Sequence, residues 1–183
     1  MKRHRLTNGV YYLMLGLWFG SLVMLAITAA ATFSTVRASQ TQMTPEAQNR
    51  LAGSIVGSAI DKLAVVEMIC AAVIVCCVLL QSTVFKKQLG GRKINAVRIA
   101  LLVLVIVVLG ADRLVVAPTL HQHRSIMHTA IDETTILQSK AIFDSMHQWS
   151  VRLASTSMLL LAAATLISPF ALTSKNTIDD KNN

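Results

Sequence analysis

The sequence predicts an all-α membrane protein: a four-transmembrane-helix bundle with its helices extended on the extracytoplasmic side. Three observations predict it. Four apolar runs, at about 11–33, 63–85, 95–118 and 153–172, approach or exceed the roughly 20 residues that cross a bilayer core. Only 14% of the 183 residues are charged and 54% are hydrophobic. Soluble domains average about 25% charged residues, so too few ions remain here to build a soluble surface. Finally, the basic residues gather in alternate connections between the runs. Three precede the first run, five surround the middle turn and two lie in the tail, with only Asp179 and Asp180 as acids among them. The other connections hold seven basic and six acidic residues.

That distribution also sets an expected topology. Lys and Arg in short loops near span ends mark the cytoplasmic side, which places both termini and the middle turn there. The net charge of +8 would otherwise suggest nucleic acid. Spread over three cytoplasmic segments, it is a feature of the membrane surface instead. One domain, 1–172, is expected, followed by a cytoplasmic tail at 173–183.

The first run follows Met1-Lys2-Arg3-His4-Arg5. It is too long for a signal-peptide core of 7–15 residues, so it reads as a retained span. Tyr11 and Tyr12 suit a membrane interface. Gly16 and Gly20 form a GxxxG, a spacing that lets another helix approach closely. The polar stretch after Phe33 ends in Thr44-Pro45-Glu46. Threonine as N-cap, proline in the first turn and an acid beside it make a helix start. From there one helix can run to about 85, carrying a second GxxxG at Gly53 and Gly57. Glu67 lies inside its span. An ionisable group there is costly and should face protein or water with a partner.

A basic turn at 85–93, broken by Gly90-Gly91, leads into the third span. Pro118 stands where that span should end, able to stop, kink or merely punctuate the helix. Residues 119–152 are mixed in character, with apolar positions at near-helical spacing and a possible cap at Asp132-Glu133-Thr134. They read as an outer helical hairpin. The fourth span then closes near Pro169. Cys70, Cys76 and Cys77 all fall in one span, where they act as small hydrophobic fillers.

Three groups of residues could carry chemistry. Glu67 and Arg113 sit at similar depth, on the order of 8 Å from the midplane, so an intramembrane ion pair is expected. Asp112 should point elsewhere, because successive residues on a helix diverge by about 100°. His121, His128 and His147 gather on the outer hairpin with Met127 and Met146; His121 and His128 share a helical face, from which His123 is displaced, and His147 could stand opposite either. Histidine with methionine suits copper, and two histidines could ligate haem b. No spacing matches an established metal motif. The same polar groups, Glu67, Asp112 and Arg113, could instead serve a proton or small-solute path. No catalytic triad or paired carboxylates are present, so no enzyme is expected. The leading expectation is an accessory or assembly subunit acting through helix contacts. Its partners would be the lipid bilayer and either another membrane protein or a second copy, with no nucleic acid.

Several short motifs also stand together. Trp18-Phe19-Gly20 and Phe33 mark the first span, Asp112-Arg113 with Pro118 the end of the third, and Phe143, His147 and Ser150 the approach to the fourth. In these the chain resembles a four-helix membrane domain of unknown function, typified by transmembrane protein 205 of animals and its bacterial relatives. The resemblance covers most of 11–172. It implies a four-helix bundle, favours a bacterial inner membrane, and implies no established activity. A proline that often precedes the Phe ending the first span is missing from Ala31-Thr32-Phe33, which puts a local bend in question.

Overall fold

A computed structural model describes residues 2–84 and 92–172, without the side chains of Lys2, Arg3, Arg92 and His128. The expected Gly90-Gly91 break and the tail 173–183 lie outside the described residues. The elements are α1 (Lys2–Ser39), α2 (Pro45–Thr83), α3 (Arg92–Ala111), a π-helical turn (Asp112–Val116), α4 (Ala117–Thr129) and α5 (Glu133–Leu172). No strand occurs among the described residues. The fold class is the expected one, all-α with four long apolar helices. The third of them runs through the π turn, from Lys93 to Met127. At 1.5 Å per residue, α1, α2 and α5 are each roughly 57–60 Å long, about twice a 30 Å hydrocarbon core.

The helices group into two compact units, one built on α1 and α2 and the other running from Arg92 to Ala171. In the first, the α1–α2 connection is closed by local bonds. The Thr44 side chain caps α2 by accepting from the Ala47 amide at 3.3 Å, with Pro45 in the first turn, as the sequence predicts. Gln48 reaches back to the Gln40 carbonyl at 2.7 Å. At the far end of the hairpin, the Gln81 amide donates to Asn8 Oδ1 at 3.0 Å and so ties α2 to α1.

Burial follows a narrow stripe on each long helix. On α1 it comprises Tyr11, Leu15, Trp18 and Leu22. On α2 it comprises Glu67, Cys70, Ala71, Ile74, Cys77 and Gln81. Arg98, Leu102 and Val105 form it on α3, and Ser157, Leu161, Ala164, Ser168 and Ala171 on α5. Steps of three and four residues are the spacing of helices packed at a shallow crossing angle. The chemistry of the stripes is inverted relative to a soluble protein. Glu67, Gln81 and Arg98 are inside, while Leu13, Met24, Val107, Leu159, Leu166 and Phe170 are exposed. Only an apolar surrounding makes that arrangement favourable. Hydroxyls in the helices conform to it too: those of Ser21, Thr32, Thr165 and Ser168 donate to carbonyls three or four residues back, which satisfies these donors without water.

In the second unit the helix does not stop at Pro118. It widens into the π turn, where the Ala117 amide bonds the Asp112 carbonyl, and α4 then begins with Pro118 in its first turn. Proline is tolerated there because its missing N–H has no partner to lose. The helix continues to Thr129, and a short link leads to α5.

Asp132 caps α5. Its carboxylate accepts from the hydroxyl of Thr134, and from the hydroxyl and amide of Thr135 at 2.8 and 3.0 Å. The two threonine hydroxyls, Thr134 first, and then the Thr135 amide hold its carboxyl below the ordinary carboxylate range, at about 2. A depressed folded value means the cap stabilises above the unfolded pKa of about 3.9, and that this is lost as pH falls toward 2. Asp132→Asn should therefore flatten the acid-induced fraying of the first turn of α5. Hydrogen exchange of residues 132–137, followed from about pH 5 to about pH 2, reads this out. Identical fraying in both proteins would remove the cap's role.

Candidate functional site

Asp112, Arg113 and Ser150 of the second unit meet at the π turn. A wider turn rotates successive residues less than an α-helix does, and the Arg113 side chain is long enough to fold back on its neighbour. Arg113 Nη1 lies 3.7 Å from Asp112 Oδ2, with the two side chains 20% and 18% exposed. This differs from the expectation that Asp112 would point away from Arg113. From α5, the Ser150 hydroxyl donates to Asp112 Oδ1 at 3.0 Å. The carboxylate is thus held by a cation from its own helix and a hydroxyl from another, in a segment apolar enough to lie in a membrane. Charge-assisted hydrogen bonds of this kind are the stronger ones.

One and two turns back from Ser150 on α5 come His147 and Phe143. Their rings are parallel, 1° apart in plane, with centroids 6.2 Å apart. The Arg124 guanidinium of α4 lies 5.8 Å from the Phe143 ring centre, within cation–π range. Arg152 makes the same kind of contact with Trp149 at 5.4 Å. The three motif residues Phe143, His147 and Ser150 therefore lie along one face of α5, and that face meets α4 at Phe143 and the π turn at Ser150.

The other sequence candidates fall as follows. Glu67 is buried on the stripe of α2, in the first unit, 4% exposed. His121 and His147 are exposed and His123 is half-buried; the side chain of His128 lies outside the described residues. No three His, Cys, Asp or Glu side chains among the described residues come together as a metal-binding group. Gly16, Gly20 and Gly53 have open space where a Cβ would be, so none of the three is a close-approach point among the described residues. Gly57 is half-buried on α2, and Phe33 half-buried on α1.

Three features were not singled out in the sequence. Arg98 reads as one more basic residue of the cytoplasmic turn, yet it is fully buried. Its signal is its position four and seven residues before Leu102 and Val105, on their face. Gln81 similarly shares the face of Ile74 and Cys77. The Arg124–Phe143 contact has no local signal, because its partners come from different helices.

Four helices of this length and character define an integral, multi-pass α-helical membrane protein. No protein-family model matches the chain, and no curated protein or solved structure shows significant similarity to it.

Proposed function

We propose that this protein is a non-catalytic accessory or assembly subunit that works inside the bilayer through helix–helix contacts made by the glycine face of α1. One observation carries this. A Cβ at Gly9, Gly16 or Gly20 would meet nothing within 4 Å among the described residues. At 100° per residue they lie within about 40° of one another, and about 150° from the buried stripe of Tyr11, Leu15, Trp18 and Leu22. The notch therefore points away from the stripe that α1 buries within its own unit. In lipid, apolar side chains gain little by leaving the solvent for a partner, so close backbone approach at small residues drives association. The partner is a second copy or another membrane protein with a complementary face. The basic connections support cytoplasmic termini, and the resemblance to bacterial relatives of the four-helix domain supports a bacterial inner membrane.

The double variant Gly16→Leu, Gly20→Leu tests this reading. A Cβ at either position meets nothing within 4 Å among the described residues, so the melting temperature should stay unchanged. Association should weaken by at least about tenfold, a change of about 1.4 kcal/mol. Energy transfer between labelled copies in liposomes reports self-association, and cross-linking in native membranes reports another partner. Unchanged association in both assays would rule the glycine face out.

A further inference from the structure

We infer that the π turn Asp112–Val116, fixed by Pro118, is a one-residue phase correction that lets Asp112 and Arg124 face the same side of α5. Each of these segments meets α5: the Ser150 hydroxyl donates to Asp112 at 3.0 Å, and Arg124 lies 5.8 Å from the Phe143 ring centre. On α5 the two receiving residues are seven apart, about 20° from each other around the helix. Their counterparts are twelve apart. In an unbroken α-helix Asp112 and Arg124 would diverge by about 120°, and both could not meet one face. A π turn closes over five residues instead of four, so it absorbs one extra residue. The divergence then falls to about 20°, matching the face of α5.

Pro118 supplies the reason the turn sits where it does. In an uninterrupted α-helix its ring would clash with the Leu114 carbonyl, and its nitrogen could not donate to it. Widening the preceding turn puts Pro118 in the first turn of α4 and releases that carbonyl from needing its amide. The extra residue comes from the outward side, where Leu114 is 80% and Val115 60% exposed, so no buried position is displaced. The Thr119 hydroxyl donates to the Val115 carbonyl at 2.7 Å and closes the far side of the turn. Pro118 is thus a positioning residue for the Asp112 carboxylate, which it never needs to touch.

The test uses the full-length protein with its three cysteines replaced by alanine. The reporter is a thiol pair introduced by Asp112→Cys and Ser150→Cys and joined by a short bis-methanethiosulfonate linker. Deleting Val115 together with Pro118→Ala removes both the extra residue and its cause. The resulting regular helix should preserve the cross-linking rate. The same deletion and proline change, made without the reporter thiols, should melt within about 3 °C of the parent. Inserting one alanine between Leu114 and Val115 with Pro118 kept should turn position 112 away and slow cross-linking at least tenfold. Deleting Val107 with Pro118 kept, so that the π turn cannot relax to absorb the loss, should rotate the Arg98, Leu102 and Val105 stripe out of register and abolish the folded state. The proposal fails if the Val115 deletion behaves like the Val107 deletion, or if cross-linking is indifferent to the insertion.

Discussion

Replacing Arg98 by alanine is expected to destabilise the folded protein by about 3–5 kcal/mol, the range for breaking a buried charge arrangement from one side. Arg98 is fully buried in α3. A guanidinium does not shed its proton in a protein, so it is a permanent charge removed from water. It can persist there only if its surroundings compensate it, and truncation leaves those compensating groups exposed to a low-dielectric interior with nothing opposite. The loss of a long side chain from the Leu102 and Val105 stripe adds a cavity. Arg98→Met separates the two contributions, since methionine fills most of the volume and carries no charge. Lys93→Ala, at an exposed position of the same helix, should stay within about 0.5 kcal/mol. Equilibrium unfolding in mixed micelles measures all three. If Arg98→Ala and Lys93→Ala are alike, the buried guanidinium contributes nothing to stability.

What could be read in the sequence was whatever depends on neighbours along one helix. The four apolar runs, the Thr44-Pro45 start, the cap at Asp132 and the cost of placing Glu67 in a span are all local statements. Features that depend on the phase between two helices were not legible. The π turn at Asp112 follows from matching Asp112 and Arg124 to Ser150 and Phe143, a comparison that needs the α5 face to be known first. The burial of Arg98 depends on how early α3 begins and which way it faces; composition alone counts it with the cytoplasmic charges. The histidines show the opposite limit. Seven-residue spacing puts His121 and His128 on one face of a helix, but a shared face alone does not specify a ligand set, and the side chain of His128 lies outside the described residues. The glycine pair at Gly16 and Gly20 was legible as a motif and not as a direction. Only the position of Tyr11, Leu15, Trp18 and Leu22 shows that the notch lies on the opposite face of α1 from that stripe.

That same stripe carries the second large expectation. Trp18 is 1% exposed and is the largest fully buried side chain among the described residues. Trp18→Ala in a soluble core would cost about 3–5 kcal/mol. Part of that figure is the return of apolar surface to water, which a bilayer does not impose, since lipid tails are as apolar as the core. What remains is the lost dispersion contact around a void, so about 2–4 kcal/mol is expected here. Leu17 is the matched control, adjacent in sequence and 49% exposed; its alanine variant should cost less than about 1 kcal/mol. The fluorescence of the chain gives an independent readout, because Trp149 is the only other tryptophan and is also 49% exposed. In a Trp149→Phe background the remaining emission should be shielded from acrylamide until the unfolding transition, and the transition should coincide with loss of helicity. Equal costs for Trp18→Ala and Leu17→Ala would mean that α1 is held by something other than this stripe. The glycine face would then be the first alternative, because an assembled partner could bury it and hold the helix from the opposite side.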